Sequence, residues 1–219
     1  MSTPNEPPPN RHYGRWVGAL GLVILVLITL NTVLTKPNGA AGLAAGARLP
    51  PFALPLVTSD LQGDADIATH ADDGEAGKHP ACTLRGPRIL NICQLYERGP
   101  VVLALFVDDG DCPRILTDMQ TLAPSFPAVR FAAVSIKGSR AALRALVRGH
   151  RLSFPVGIDS DGVLATLYKV ASCPQITFAY AGGIAEGKPL LLLPSLASLR
   201  ARVAALLAAS RARGSSSRS

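Results

Sequence analysis

The chain has 219 residues, of which 48% are apolar, so one domain of ordinary size with a substantial buried core can form. Its formal net charge is +7, but the basic residues are dispersed and are not interleaved with aromatic residues. Because nucleic-acid-binding domains gather basic residues into one patch or stripe, this composition does not predict binding to nucleic acid.

An uncharged apolar run, residues 16–34, begins with Trp16 and ends with Leu34. It is just long enough to cross a bilayer as a helix, so we predict a transmembrane helix preceded by a short cytoplasmic tail, 1–15. A cleaved signal peptide is the alternative, because Ala45-Gly46-Ala47 is an acceptable cleavage site. The first interpretation predicts a single-pass membrane protein in contact with the lipid bilayer, with its C-terminal part outside the cytoplasm. The second predicts secretion.

The segment after the apolar run, 35–48, is rich in Gly and Ala and predicts a flexible linker. We expect the folded domain at 49–209 and a disordered basic tail at 210–219. Within the domain, residues 60–79 are rich in Asp, Gly and Ala and predict a surface loop.

Beyond residue 88, apolar runs that are typical of strands alternate with segments of helical periodicity. The predicted strands are 89–95, 101–107, 129–136, 154–158, 175–180 and 190–193. The predicted helices are one that opens at Cys112, one at 141–147 capped by Ser139, one at 163–168, and a last one from Leu196 to Leu207. This order predicts an α/β sandwich, with a central mixed sheet flanked by helices.

All four cysteines follow the apolar run, where an oxidising compartment favours disulfides over metal sites. Cys82 and Cys93 flank a turn-like segment, 85–88, so we predict a structural disulfide that staples this segment. A second redox couple is the alternative. The four histidines have no ligand spacing with one another or with a cysteine, so neither a metal site nor a cofactor is predicted.

Cys112 follows a predicted buried strand and an acidic loop, and it opens a predicted helix. The amides at a helix N-terminus can stabilise a thiolate at this position, which is the usual basis of thiol redox chemistry. Asp108, Asp109 and Asp111 oppose this effect, because nearby negative charges disfavour a thiolate, whereas Arg114 favours it. The sequence leaves this balance open.

The order of elements resembles that of the thioredoxin-like superfamily. It is most similar to the membrane-anchored redoxin group, which contains thiol–disulfide oxidoreductases and peroxiredoxin-like proteins. The resemblance is carried by the opening 49–55, Phe154-Pro155-Val156, the loop 159–162, Tyr168 and Pro174. It implies a thioredoxin-like domain in which the peptide bond before Pro174 is cis and lies beside the redox-active cysteine.

The site departs from the family pattern, because Ile115 stands where a Cys-x-x-Cys motif would have its second cysteine. In this fold the residue before the cis-proline, here Cys173, faces the cysteine at the helix terminus. The resemblance therefore implies that Cys112 is the nucleophile, Cys173 the resolving thiol and Pro174 part of the substrate groove. Protein thiols and disulfides are the implied substrates, and a membrane redox protein is an implied partner.

Two alternatives remain beside this interpretation. In the first, Cys112–Cys173 is a static disulfide in a non-catalytic domain that binds partners through the groove. In the second, the protein is a peroxidase with antioxidant activity. The peroxidase is disfavoured, because Leu105 and Asp109 occupy the positions where that family needs Pro and Thr or Ser, and no Arg accompanies Pro174.

Overall fold

The structure is a computed structural model that describes residues 11–34 and 41–216. Helix α1 spans Arg11–Leu34 and belongs to an N-terminal unit, and all other elements belong to a second unit. The side chains of residues 16–27 are exposed on α1. Among the described residues, no helix combines the length and apolar character needed to cross a membrane. The predicted tail, linker and basic tail lie partly outside the described residues.

The second unit alternates strands and helices in the predicted order. Its strands are β1 Ala53–Pro55, β2 Ile89–Asn91, β3 Val101–Val107, β4 Arg130–Lys137, β5 Val156–Ile158, β6 Gln175–Tyr180, β7 Ile184–Ala185 and β8 Leu190–Leu191. Its helices are α2 Gly74–Gly77, α3 Ile92–Glu97, α4 Arg114–Leu122, α5 Arg140–Gly149, α6 Val163–Leu167 and α7 Leu196–Ser216. Short 3-10 turns lie at Ala81–Thr83 and Ala123–Ser125.

The central sheet is mixed, as predicted, with the strand order β5-β4-β3-β6-β7, and β8 also pairs with β6. Strands β3, β4 and β5 are parallel, whereas β6 runs antiparallel to β3. The carboxyl end of β3 and the amino end of β6 therefore meet at the same edge of the sheet. Strands β1 and β2 form a separate antiparallel pair.

Strand β3 separates two apolar clusters, one on each face of the sheet. Val102, Ala104 and Phe106 belong to the cluster that contains side chains of α4, α5 and α7. Leu103 and Leu105 belong to the opposite cluster, which contains side chains of α3 and α6. Successive side chains of a strand point to opposite faces, so a strand covered on both faces needs the continuous apolar run that the sequence shows.

The prediction of a strand over residues 89–95 is wrong in its second half, where helix α3 forms. Asn91 ends β2 and acts as the N-cap of α3, because its side-chain oxygen accepts hydrogen bonds from the amides of Cys93 and Gln94. Its Nδ2 donates to the carbonyls of Ala81 and Leu84, at 2.8 and 2.7 Å. These carbonyls come from a preceding turn, so the cap depends on tertiary contacts that an alternating pattern does not reveal.

The domain is longer at both ends than the predicted 49–209. The amide of Gly42 donates to the carbonyl of Lys169 and that of Gly46 donates to the carbonyl of Ala185, both at 2.9 Å, and Leu43 is buried. Residues 41–48 are thus part of the domain and not of a linker. At the other end, α7 continues to Ser216, through most of the predicted disordered tail. A Gly- and Ala-rich segment has few large apolar residues from which packing could be predicted. Its backbone N–H and C=O groups can still form hydrogen bonds with the domain.

Candidate functional site

Cys112 and Cys173 meet at the sheet edge where β3 ends and β6 begins. They are 61 residues apart in sequence, but their Cα atoms lie 5.5 Å apart and a disulfide joins them. The peptide bond between Cys173 and Pro174 is cis. The structure therefore contains both the pairing and the cis-proline that the sequence resemblance implied.

Cys112 is the more enclosed member of the pair. It lies in the turn before α4, is only 6% exposed and belongs to the same apolar cluster as Ile115 and Leu116. The first amides of this turn are occupied, because those of Arg114, Ile115 and Leu116 donate to backbone carbonyls at 3.0–3.4 Å. Pro113, the N-cap of α4, has no N–H. In this disulfide-bonded state these amides donate to the backbone and not to the Cys112 sulfur.

Cys173 is half-buried and accepts a hydrogen bond on its sulfur. The donor is the backbone N–H of Val107, and the distance from the Val107 nitrogen to Sγ is 3.1 Å. Leu105 pairs with Gln175 in the β3–β6 register, so extending this register by two residues places Val107 opposite Cys173. The Cys173 sulfur thus takes the place of a strand carbonyl as the acceptor for Val107.

The loop that carries Cys173 is held on both sides by polar contacts. The side-chain oxygen of Gln175 accepts from the Ala171 amide, and its Nε2 donates to the Tyr168 carbonyl at 2.9 Å. The Ser172 hydroxyl accepts from the Leu192 amide at 3.1 Å. Sequence reasoning missed Ser172 and Gln175. The signal for Gln175 is a glutamine at the start of a predicted strand, and the structure buries it fully.

An exposed apolar pair, Leu191 and Leu192, lies next to this loop. Their side chains are 42% and 65% exposed, respectively. Leu192 has φ of +64°, a left-handed conformation that costs a branched residue free energy. Leu191 and Leu192 therefore offer a small exposed apolar surface beside the loop that carries Cys173. Sequence reasoning placed these residues in a strand and did not assign them to the site.

The acidic loop before Cys112 is mostly in solvent. Asp109 and Asp111 are exposed, and Asp111 lies 3.8 Å from the Arg114 guanidinium in an exposed ion pair. Such pairs contribute little free energy, because water screens both charges. Because Asp111 lies beside the Arg114 guanidinium, the favourable effect of the Arg114 charge on the Cys112 sulfur is reduced.

The second disulfide joins Cys82 to Cys93, as predicted, with their Cα atoms 5.4 Å apart. Cys93 is fully buried in α3, and it belongs to the apolar cluster on the face of the sheet opposite to that of Cys112. The Cys82 sulfur lies 3.8 Å from the hydroxyl of Tyr96. The Cys82–Cys93 bond therefore links the segment before α3 to a buried residue of the domain.

One titratable side chain at the same sheet edge, Asp159, is almost fully buried, with 1% of its surface exposed. It follows β5, and its Oδ2 accepts from the amide of Leu164 at 2.9 Å. Its Oδ1 receives no N–H or O–H donor within the described part of the chain. Burial, with a smaller effect from a hydrogen bond to the Asp161 carboxyl, raises the pKa of Asp159 to about 7.

The raised pKa of Asp159 predicts a stability that depends on pH. A carboxyl whose pKa is higher in the folded than in the unfolded state stabilises the fold below its unfolded pKa, and this contribution is lost as the pH rises through about 7. We expect the free energy of unfolding to fall between about pH 4 and pH 8, by at most about 4 kcal/mol from this group.

Urea unfolding of the Asp159→Asn variant across this range should show a flatter pH dependence than the wild type, with higher stability than the wild type at pH 8. The control variant is Asp72→Asn, which replaces an exposed loop carboxylate and should keep the wild-type slope. An unchanged slope in Asp159→Asn would contradict the assignment.

Comparisons with known proteins support the fold. No family model matches the sequence, and no curated protein matches it significantly. A structure from Chlorobium tepidum, assigned as the thiol:disulfide interchange protein DsbE, covers 75% of this chain and 99% of its own at 17% identity, with a TM-score of 0.56. An uncharacterised conserved protein from Geobacillus kaustophilus covers 75% of this chain and 82% of its own at 17% identity, with a TM-score of 0.54.

A further similar structure is that of a secreted disulfide oxidoreductase from Mycobacterium tuberculosis. It is 26% identical, covers 54% of this chain and 89% of its own, and has a TM-score of 0.47. The likeness to the Chlorobium protein extends over most of the second unit and shows that the fold is thioredoxin-like, with the mixed sheet described above.

Proposed function

We propose that this thioredoxin-like domain is a thiol–disulfide oxidoreductase that exchanges electrons with protein thiols and disulfides through the Cys112–Cys173 pair. The observation that carries the proposal is the bond itself, which joins Cys112, in the turn before α4, to Cys173, the residue before Pro174, and leaves Cys173 partly exposed. The Chlorobium protein, which shares the fold, is described as a thiol:disulfide interchange protein.

The pair can carry out a complete two-electron exchange without a cofactor. A thiolate of a substrate dithiol attacks one sulfur of the Cys112–Cys173 bond, and the other sulfur leaves as a thiolate. The second substrate thiolate then attacks the mixed disulfide, which releases an oxidised substrate and leaves both cysteines reduced. The reverse sequence reduces a substrate disulfide. The loop that carries Cys173 forms the surface on which the substrate chain rests, and Pro174, which is itself buried, shapes that loop from beneath.

Leu191 and Leu192 support a protein as the substrate. They expose an apolar surface next to the Ser172 hydroxyl, one residue from the reactive Cys173. An apolar contact beside the sulfur suits a peptide segment better than a small hydrophilic thiol, because burying apolar surface stabilises the encounter complex. A flexible segment with an apolar residue near its cysteine is the substrate that fits this surface.

A redox titration of the wild-type chain tests this function. The chain would be equilibrated in a series of glutathione buffers, trapped with an alkylating reagent and read by mass spectrometry at each cysteine. We expect a reduction potential for Cys112–Cys173 within the span of known exchange proteins, roughly −120 to −270 mV. The Cys82–Cys93 bond serves as the internal control and should resist reduction in these buffers.

A Cys112–Cys173 bond that resists reduction to below about −300 mV would contradict the proposed exchange function. That result would favour the non-catalytic alternative, in which the bond holds a binding groove in place. The burial of Cys112 is the feature that suits a structural bond.

We also propose that the domain lies outside the cytoplasm and is tethered to the cell membrane through residues 16–34, near a membrane protein that supplies or receives electrons. The support is an uncharged apolar run, the exposed apolar side chains of residues 16–27, and two disulfides of a kind that forms in oxidising compartments. Protease added to intact spheroplasts should digest the domain, whereas a domain protected until lysis would contradict this location. Recovery of the domain in the culture medium would indicate the cleaved, secreted alternative.

A further inference from the structure

We propose that Cys173, and not Cys112, forms the mixed disulfide with the substrate, while Cys112 acts as the resolving thiol. This inference rests on the proposed exchange function and reverses the roles that the sequence resemblance implied. Three features of the site carry it: the unequal exposure of the two cysteines, the hydrogen bond to one of them, and the position of the exposed apolar pair.

The first feature is access. The rate of thiol–disulfide exchange depends on whether the attacking thiolate can reach a given sulfur. Cys112 is 6% exposed and is enclosed by the apolar cluster of α4, whereas Cys173 lies at the margin of this cluster and is only partly covered. An incoming sulfur therefore has more direct access to Cys173 than to Cys112.

The second feature is the stabilisation of negative charge. Hydrogen bonds that a thiolate accepts favour the ionised form, and the Val107 N–H already points at the Cys173 sulfur at 3.1 Å. Within the described part of the chain, no other hydrogen bond reaches either sulfur of this disulfide. The amides at the start of α4 donate to backbone carbonyls instead.

The charges near Cys112 do not oppose this difference. Asp109 and Asp111 are exposed, and Asp111 is paired with Arg114, so the carboxylates and the guanidinium largely offset one another. In the reduced protein the hydrogen bond from Val107 therefore favours Cys173 as the nucleophile.

The third feature is the location of the exposed apolar pair. The Leu192 amide donates to the hydroxyl of Ser172, the residue directly before Cys173. A peptide that covers Leu191 and Leu192 is therefore held beside the loop of Cys173, and its own sulfur approaches from this side.

The reduced protein acts on a substrate disulfide in two steps. The Cys173 thiolate attacks one substrate sulfur, the substrate S–S bond breaks, and the released substrate thiolate takes a proton from water. Cys112 loses its proton to water and attacks the Cys173 sulfur in the mixed disulfide. The Cys112–Cys173 bond forms, the second substrate sulfur leaves as a thiolate that takes a proton from water, and two electrons have passed from the protein to the substrate.

Trapping with matched single-cysteine variants tests the roles directly. The Cys112→Ser and Cys173→Ser variants of the full chain would be mildly reduced and mixed with a peptide that contains an intramolecular disulfide and an apolar residue beside it. Acid quenching and mass spectrometry then measure the adduct and its site. We expect the adduct on Cys173 of the Cys112→Ser variant to form at least tenfold faster than the adduct on Cys112 of the Cys173→Ser variant. Equal rates, the reverse order, or adducts on neither variant would overturn the inference.

A measurement on the wild type does not depend on the folding of the variants. Limited iodoacetamide treatment of the mildly reduced chain at pH 7 should modify Cys173 at least tenfold faster than Cys112. Faster modification of Cys112 would overturn the inference while leaving the exchange function intact. The redox titration of the wild-type pair distinguishes a failure of the assigned cysteine roles from a failure of the exchange function. It reports whether the bond is reduced at potentials typical of exchange proteins, whichever sulfur is attacked.

Discussion

Catalysed thiol–disulfide exchange is expected to fall at least about a hundredfold when either Cys112 or Cys173 is replaced by serine. Each variant retains one sulfur and can form a mixed disulfide, but it has no second thiol within the site to resolve that adduct. Turnover is measured as the reduction of a disulfide-containing protein, or as the oxidation of a dithiol peptide, in the full chain.

These variants also lose a crosslink between residues 61 apart, which in the chain-entropy model lowers the free energy of unfolding by about 4 kcal/mol. The assay therefore needs a circular dichroism spectrum at the same temperature to show that the variants are folded. Turnover at the wild-type rate in a folded variant would remove this pair from the mechanism. The matched control is removal of the other disulfide.

Removal of the Cys82–Cys93 disulfide, in a Cys82→Ala and Cys93→Ala double variant, is expected to lower the stability of the fold but to leave exchange activity almost unchanged. The bond closes a short segment, with a sequence separation of 11, so its loss should lower the free energy of unfolding by about 3 kcal/mol. Exchange activity should stay within about twofold of the wild type, because Cys93 is fully buried and belongs to the apolar cluster of the other sheet face.

Urea unfolding of this double variant beside the wild type measures the loss of stability, and the exchange assay is run on the same samples. The side chain of Asn91 still bonds the carbonyls of Ala81 and Leu84, so the local turn should persist in the folded state. Loss of exchange together with unchanged stability would support the alternative of a second redox couple.

Strand β3 and helix α5 show what local sequence predicts well. The run of apolar residues at 101–107 predicted a strand that is buried on both faces, and all but the last residue of β3 are fully buried. Ser139 was predicted to cap a helix, and its hydroxyl accepts from the Ala142 amide at 3.1 Å. Both signals depend on neighbours along the chain, so no knowledge of the tertiary fold is needed to interpret them.

The segment 89–95 shows where this kind of reasoning fails. Its weak alternation predicted one strand, but the structure divides it into β2 and α3 at Asn91. The division depends on the carbonyls of Ala81 and Leu84, which approach Asn91 only in the folded domain. Propensity is a weak constraint, and tertiary contacts override it in short segments of this kind.

The sequence by itself determined that the chain forms a mixed α/β domain, that Cys112 stands before a helix, and that Cys173 precedes a proline of the kind found in thioredoxin-like proteins. These features follow from local periodicity and from the order of motifs. Only the tertiary structure decided how the two sulfurs differ. Whether Cys112 is covered depends on how α4 packs on the sheet, and whether Cys173 accepts the Val107 N–H depends on the β3–β6 register. Burial and register join residues that lie far apart in sequence, and so no local pattern encodes them.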